Sequence, residues 1–543
     1  MKTKLLLIFL FLFSLNNVLA QVEDAWVYFK DKPSETAFIA SPLKMLSQRA
    51  LDRRLRYHIP IDFKDVPVDS SYITEIKGAS GITVKAKSKW LNAVHIQGTQ
   101  TDINELLKIN FVGKVDFADK SLNPSGKSKK QLNGVYKKDK LEAKTNFNYG
   151  KAANQIQMLK GEVLHQNNFT GEGMQIAIID AGFPNVDNVD NFEAFRRLRD
   201  NNQILGGYDF VNRNENFYTG SSHGMSVLSV IAGYIDNQFV GTAPDAKFYL
   251  FISEDEANET PLEESLWVEA AEKADSLGVD VINTSLGYTT FDNPKYNYVY
   301  ADMDGKTTFI SRGAEIAFSR GMIVINSAGN EGDVPWHYIS APADAASVLS
   351  VGAVNATGII ANFSSFGPTS DNRIKPDVCA QGAGVYIVSS TGNIVTANGT
   401  SFSSPVLVGL VACLWQAFPH KTNAEIIQLV KESAHLFANP NAHEGYGIPN
   451  FETVFNLLEP DTAEEILEVV AYPNPSANEL KFKFPNYVTE MELTIFDVLG
   501  KRIHSEKINE LNPMINISNL AQGLYFMQLK FDTEIKTFKI FKN

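Results

Sequence analysis

The run MQIAIIDA, residues 174–181, decides the fold. It is apolar at successive rather than alternate positions, too short for a buried helix, and closed by an aspartate and the turn-forming AGFP. Such a run fits a strand buried on both faces, as in a parallel sheet covered by helices. Four runs of the same kind follow: AKFYLFI, VDVINTSLG, GMIVINSAGN and ASVLSVGAV. Between them lie stretches with helical spacing, SSHGMSVLSVIAGY, PLEESLWVEAAEKADSLG and FISRGAEIAFSRG. The alternation from about 151 to 458 predicts an α/β domain, a parallel sheet with helices on both faces. Ligands of such sheets gather beyond the carboxyl ends of the strands, so chemistry-bearing residues are expected just after them.

Three residues there form a coherent set. Asp180 ends the first strand, His223 stands where SSHGMSVLSVIAG starts a helix, and Ser401 lies in NGTSFSSPV (398–406) ahead of a long apolar run. Pro405 is expected in the first turn of that helix, where N–H groups have no internal partners anyway. A serine hydroxyl attacks poorly until an imidazole takes its proton, and the imidazole needs a carboxylate to hold its tautomer and stabilise its cation. A helix N-terminus at Ser401 adds a backbone N–H and a positive dipole end for a developing oxyanion. Asn330, directly after the strand GMIVIN, offers a second donor. Ser403 and Ser404 read as helix-start or packing residues, and the other eight histidines as structural or surface groups.

The order Asp, His, Ser, with steps of 43 and 178 residues, is that of subtilisin-type proteases. IAIIDAGF resembles the aspartate motif of the subtilase family, SSHGMSVLSVIAG its histidine motif, and NGTSFSSPV its Gly-Thr-Ser-x-Ser/Ala-x-Pro serine motif. NTSLG and SAGNEG resemble the family's substrate-binding strand and oxyanion asparagine. The resemblance implies a subtilisin-like fold and a serine endopeptidase that hydrolyses peptide bonds in proteins or peptides through an acyl-enzyme. By it, Ser401 is the nucleophile, His223 the general acid and base, Asp180 its orienting partner and Asn330 the oxyanion donor. Ser285, Leu286 and Gly287 would form the edge that pairs with substrate backbone, with Gly287 admitting a close backbone approach. Met225 and Ala181 depart from the family pattern, which usually has threonine after His-Gly and often serine or threonine after the aspartate; neither departure removes a catalytic group. The chemistry implied needs no cofactor. Relatives often bind structural calcium, and Asp302 and Asp304 in D-x-D-G are too little to assign ligands.

The flanks read separately. MKTKLLLIFLFLFSLNNVLA (1–20) has the charge, apolar run and small-residue end of a secretory signal. Residues 21–146 hold 22 Lys and Arg against 15 Asp and Glu, whereas the whole chain is −13, so the acidic excess lies beyond 146. That acidic bulk argues against a nucleic-acid partner. A basic segment ahead of an acidic one suits two parts that dock on each other; a solvated basic linker is the alternative, since 125–144 is Lys-rich. DAWVYFKDK and GITVKAKSKWLNAVHIQ read as strands, PLKMLSQRALDRRL and TDINELLKI as helices, and 119–150 as a polar linker open to proteolysis. This α/β unit resembles the inhibitory propeptides of subtilases, an intramolecular inhibitor that is cut away. Residues 468–543 alternate as short strands of a β-sandwich. AYPNPSANELKF, IFDVLGKRI and GLYFMQLK resemble the C-terminal sorting domain of type IX secretion cargo, which implies that machinery as a partner and a secreted or cell-surface protein exported across both membranes of a Gram-negative bacterium. The domain reading is therefore signal 1–20, propeptide with linker 21–146, catalytic domain 147–460 and sorting domain 468–543. Cys379 and Cys413, both in apolar surroundings, read as buried free thiols.

Three matters stay open on sequence alone. YTTFDNPKYNYVYADMDGKTTFI (288–310), with its Asp304-Gly305 turn, is expected to form a β-hairpin over the cleft. Leu286, Ala328 and Ala341 favour an apolar specificity pocket, whereas Glu331 favours a basic side chain. A catalytically silent surface-binding protein and an adhesin whose activity lies in the tail are the alternatives to an enzyme.

Overall fold

The computed structural model describes residues 21–123, 147–188, 190–458, 469–472, 474–483, 490–509, 514–531 and 534–543. The expected signal at 1–20, the Lys-rich stretch 125–144 and most of the acidic join before 470 lie outside them.

The first part of the chain supplies strands β1 (Val22–Phe29), β2 (Thr83–Ser88), β3 (Ala93–Thr99) and β4 (Val112–Phe117), an antiparallel sheet in the order β2-β3-β1-β4. Its longer helices are α1 (Gln48–Arg56), α2 (Ser70–Gly78) and α3 (Gln100–Glu105). Ser47 caps α1 and Asp69 caps α2, each side chain accepting from an N–H of the first turn that has no intrahelical partner. GITVKAKSKWLNAVHIQ divides into β2 and β3, turning at Asn92, whose φ of +50° is the left-handed conformation that asparagine tolerates. One face of this sheet packs on α2 and α3 through Val27, Ile76, Ile96 and Ile103.

Seven strands then build the central sheet: β5 (Gln175–Asp180), β6 (Ile204–Asp209), β7 (Lys247–Ile252), β8 (Val281–Thr284), β9 (Ile323–Ser327), β10 (Leu349–Val354) and β11 (Val378–Gln381). Their order is β11-β10-β9-β8-β5-β7-β6, and every pairing is parallel. Successive residues of each strand face opposite ways. Ile176, Ile178, Ile323 and Ile325 join one core with helices α4 (Ser222–Ala232) and α5 (Thr400–Ala417), while Ala177, Ile179 and Val324 join the other with α6 (Pro261–Leu277) and α7 (Phe309–Ser319). Burial on both faces is why these strands read as unbroken apolar runs. The sheet and its two helical layers are as the alternation predicts.

The first unit lies on α6 and α7. Trp26, Tyr28, Trp90 and Ala93 enter the same core as Leu266, Val268, Phe309 and Ile310. Glu272 on α6 accepts hydrogen bonds from the N–H groups of Lys89 and Trp90 and from the Ser88 hydroxyl. A buried charge cluster ties α1 to the end of α6: Arg53 and Arg54 both reach Asp275, at 2.5 and 2.8 Å, and Arg54 also reaches Asp65 at 2.7 Å. This unit therefore docks on an acidic helix; the Lys-rich stretch on which the linker alternative rests, 125–144, lies outside the described residues.

Residues 461–543 form a separate unit. Two antiparallel sheets, one of three strands and one of four, enclose Leu480, Phe482, Leu493, Ile495, Ile515, Met527 and Leu529, giving the expected small sandwich. Cys379 and Cys413 are free and buried, and burial pushes both thiols up.

Candidate active site

Each functional side chain sits where an element begins or ends. Asp180 is the last residue of β5 and is fully buried. His223 is the second residue of α4, whose start is fixed by the Ser221 hydroxyl accepting from the His223 N–H. Gly224 is needed at the next position, because a Cβ there would lie 2.8 Å from the Cβ of Asp180. His223 Nδ1 lies 2.8 Å from Asp180 Oδ1, which also accepts from the Ala181 N–H. With its proton held on Nδ1 by the carboxylate, the ring presents Nε2 as its basic nitrogen. Asp180 raises the imidazole pKa above its ordinary value; burial opposes the shift, and Glu254 and Glu256 add to it. The second oxygen, Asp180 Oδ2, is buried without a hydrogen-bond partner among the described residues; the residue after the aspartate is Ala181, which has no hydroxyl to offer it.

Ser401 is the second residue of α5. Its backbone nitrogen and the side-chain amide nitrogen of Asn330 border one space: a Cβ built on Gly399 would stand 3.7 Å from Ser401 N and 3.9 Å from Asn330 Nδ2. Gly399, at φ +148°, leaves that space open. The amide of Asn330 is oriented by Thr400, whose N–H and hydroxyl both donate to Asn330 Oδ1, at 2.8 and 3.0 Å. The His223 ring lies 5.9 Å from that of Phe402, next to the serine. The Ser401 hydroxyl donates to the Ser285 carbonyl at 3.3 Å rather than to the imidazole; such hydrogen bonds are commonly loose before substrate binds.

Pro405 corrects the sequence reading. It is the sixth residue of α5, in the second turn, and the N–H it lacks would have bonded the carbonyl of Ser401. The Ser285 hydroxyl donates to that carbonyl instead, at 2.9 Å. Asn283 holds Ser285 through its amide and accepts from the Ser404 hydroxyl, while Ser403 bonds the Thr400 carbonyl within its own helix.

Of the three expected edge residues, all lie beyond the end of β8 at Thr284. Ser285 is engaged with Ser401 by both hydroxyl and carbonyl, and the Leu286 carbonyl accepts from Asn326 Nδ2 at 3.0 Å. Gly287 is exposed, and the close approach that requires a glycine there is by a side chain: a Cβ would fall 2.0 Å from Ser340 Oγ. Glu331 accepts from the Ser365 hydroxyl at 2.8 Å.

The segment after Gly287 is not a hairpin. Among the described residues it contains two single 3-10 turns, Pro294–Tyr296 and Tyr300–Asp302, and no strand. Asp304 accepts from the N–H groups of Lys306 and Thr307, so the Asp-Gly pair, with Gly305 at φ +72°, closes a turn leading into α7 rather than joining two strands. Asp302 pairs with Lys120 and accepts from the Val299 N–H. Neither aspartate is placed as a calcium ligand, and among the described residues no three His, Cys, Asp or Glu side chains are grouped to hold a metal.

Glu254 is the member that sequence reading missed. Two residues past the end of β7, it accepts from the hydroxyls of Ser253 and Tyr288 at 2.6–2.7 Å. Burial pushes its carboxyl up to about 7. Glu263, which burial with Glu254 and Glu259 pushes up to about 9, lies behind it. In an acidic chain the run SEDEANE reads as a solvated loop, and nothing local marks its first glutamate.

The fold and the strand-end cluster belong to the class of α/β hydrolytic enzymes with a buried carboxylate–imidazole pair beside a helix-borne serine. Family comparison makes this specific. The chain matches the Subtilase family over residues 171–448, a Bacteroidota Peptidase S8 propeptide domain over 24–134, and a secretion system C-terminal sorting domain over 470–543. It belongs to the subtilase family and is a subtilisin-like serine peptidase with a propeptide domain and a type IX sorting domain. It is similar to subtilisin NAT of Bacillus subtilis subsp. natto, 30% identical over 301 residues, 55% of this chain and 69% of that one. It is also similar to the membrane-bound transcription factor site-1 protease of Rattus norvegicus, 29% identical over 322 residues, 56% of this chain and 27% of that one. The solved structure of MycP1 with the N-terminal propeptide removed aligns with 56% of this chain and 96% of its own, at 23% identity and a TM-score of 0.44.

Proposed function

We propose that Ser401, His223 and Asp180 hydrolyse peptide bonds in protein or peptide substrates through an acyl-enzyme. His223 Nε2 takes the Ser401 proton as the hydroxyl attacks the scissile carbonyl. Asp180 stabilises the imidazolium, which then returns the proton to the leaving amine. The oxyanion forms in the space over Gly399, between Ser401 N–H and Asn330 Nδ2. Water, activated by the same imidazole, then releases the acyl group. The single observation supporting this reading most strongly is the approach of those two donors to one point, beside an imidazole already paired with a buried carboxylate.

Extended substrate lies along Ser285, Leu286 and Gly287, with Gly287 the exposed member. The chemistry draws on these side chains and backbone donors and on water, with no cofactor. Residues 21–146 act as the intramolecular inhibitor and are removed; residues 147–460 are the catalytic domain. Residues 468–543 take the protein through the type IX machinery to the outside of a Gram-negative cell, after a signal at 1–20 has directed it across the inner membrane. Comparing wild type with Ser401→Ala for casein hydrolysis tests the reading: equal activity in the two would end it.

A further inference from the structure

The segment 288–308 carries a cation-binding box that the hydrolytic machinery does not use. Lys120, just past β4, reaches across from the propeptide unit: its Nζ lies 2.5 Å from Asp302 Oδ2 and 4.1 Å from the centroid of the Tyr298 ring. The Tyr298 hydroxyl donates to Glu264 Oε2 at 2.7 Å. Glu264 is fully buried, and its Oε1 has no hydrogen-bond partner among the described residues. A carboxylate, an aromatic face and a second carboxylate at the hydroxyl edge of that ring are the parts of a site for an ammonium or guanidinium group. Beside Lys120 a cavity of about 150 Å³, bordered by Tyr298, Phe291 and Arg312, separates the propeptide unit from the catalytic domain. The Lys120 side chain remains 39% exposed, so the box is open at its rim.

Two further relations fix what the box meets when Lys120 leaves with the 24–134 unit. The lysine stands between β4 and the Lys-rich stretch 125–144, so with the cut in that stretch it approaches from the amino-terminal side of the bond. The box also continues the proposed substrate edge. Tyr288 follows Gly287 directly; its ring stacks on Phe291 at 6.2 Å, and Phe291 meets Tyr298 edge-on at 5.5 Å. Taking the edge Ser285–Gly287 as about three substrate residues, and about 3.3 Å per residue for an extended chain beyond it, the ring steps of 6.2 and 5.5 Å place the box roughly five to nine residues from the scissile bond, on the side from which Lys120 approaches.

We propose that Tyr298, Asp302 and Glu264 form a subsite of the mature enzyme for a lysine or arginine side chain of a polypeptide substrate, upstream of the bond cut, and that Lys120 of the propeptide occupies it beforehand. The inference rests on the catalytic reading above and adds to it a substrate class, polypeptides basic at that distance from the cut. No bond is made or broken at the box; it contributes binding.

The test uses full-length chains allowed to mature, as wild type, Asp302→Asn and Tyr298→Leu. Each is assayed on internally quenched peptides that share one cleavage sequence and carry either lysine or norleucine at single positions five to nine residues upstream. Wild type is expected to show about a tenfold gain in kcat/KM for lysine over norleucine at one or two adjoining positions. Asp302→Asn should bring that ratio to about one, and Tyr298→Leu should lower it. Because the ratio is taken within one preparation, partial folding or incomplete maturation cancels. Tyr298→Leu leaves Asp302 and its bond to Val299 N–H in place, which separates loss of the box from loss of the turn. A gain equal at every position, or one that survives Asp302→Asn, would reduce the effect to general attraction by an acidic chain and overturn the proposal. No gain at any position, with the norleucine peptide still cut in a Ser401-dependent way, would overturn the box and leave the catalytic reading intact.

Discussion

The carboxamide of Asn330 is held by Thr400, the residue before the proposed nucleophile: both Thr400 N–H and its hydroxyl donate to Asn330 Oδ1, which turns Nδ2 toward the space beside Ser401 N–H. One residue therefore sets the position of the serine and the orientation of the proposed oxyanion donor. In a related protease, loss of a side-chain oxyanion donor costs about 10²–10³ in kcat. Asn330→Ala is expected to fall in that range with KM little changed and folding intact. Thr400→Val keeps one of the two bonds to Oδ1 and should cost roughly tenfold, one hydrogen bond's worth. Steady-state kinetics on one peptide measures both, and an unchanged kcat in Asn330→Ala removes Asn330 from the site.

The pH profile should carry the mark of Glu254. His223 must be neutral to act as base, and Asp180 holds its pKa above the ordinary 6.5, with Glu254 contributing. Activity should therefore be lost as pH falls through a value above 6.5. Burial pushes the Glu254 carboxyl up to about 7, so its charge changes over the same range and adds to the acid limb of kcat/KM. Glu254→Gln removes a negative charge near the imidazole and should move that limb to lower pH. A limb that stays in place, or rises, would mean that the glutamate does not act on His223.

Docking of the propeptide unit depends on a cluster in which no charge is exposed. Arg54 bridges Asp65 and Asp275, and Arg53 joins at Asp275. Arg54→Ala would leave Asp65 with the Asp62 N–H and, as its ion-pair partner among the described residues, the more distant Arg320. Breaking such a buried set costs about 3–5 kcal/mol. In the uncut Ser401→Ala precursor this should appear as a lower Tm and faster proteolytic loss of residues 21–123, whereas Arg56→Ala, a neighbour on the same helix, should have little effect.

A second buried set ties α5's layer to the sheet edge. Asp377 accepts from Lys375 and Lys431, at 2.6 and 2.8 Å, and Lys375 is itself buried. The two lysines hold the Asp377 carboxyl well below the usual carboxylate range, against the effect of burial. A depressed pKa contributes stability that is present above the unfolded value, near 3.9, and is lost as pH falls through the folded one. Asp377→Asn should cost about 3–5 kcal/mol at neutral pH, and the deficit should shrink below about pH 4. Urea denaturation at pH 7 and pH 3.5 measures the difference; an equal deficit at both values contradicts the electrostatic account.

The legible parts of the chain were those where one physical requirement acts alone. Central strands such as β5 and β9 carry apolar residues at successive positions, because both faces are covered, and so they stand out. The edge strand β6, ILGGYD, carries two glycines, and β11, VCAQ, is only four residues long; neither shows the pattern. Asp180, His223, Ser401 and Asn330 were readable because each sits at an element boundary set by local sequence. Glu254 was not, because its environment comes from Tyr288 and from α6, distant in sequence. Residues 288–308 misled for a related reason. An Asp-Gly pair supports a hairpin only if its flanks pair with each other, and here the flanks pack on the propeptide unit and α6, with the Tyr296 hydroxyl accepting from Asp24 N–H. Pro405 shows the same limit on a smaller scale: the proline is visible in sequence, but the Ser285 hydroxyl that replaces its missing N–H is not.

The most direct test of the central claim compares wild type with Ser401→Ala, following casein hydrolysis and the intact mass of each purified chain. The account predicts that the variant cleaves no casein and stays as a precursor retaining residues 21–123 on its catalytic domain. Casein hydrolysis by Ser401→Ala at the wild-type rate would contradict it, and would leave NGTSFSSPV as no more than the start of a helix.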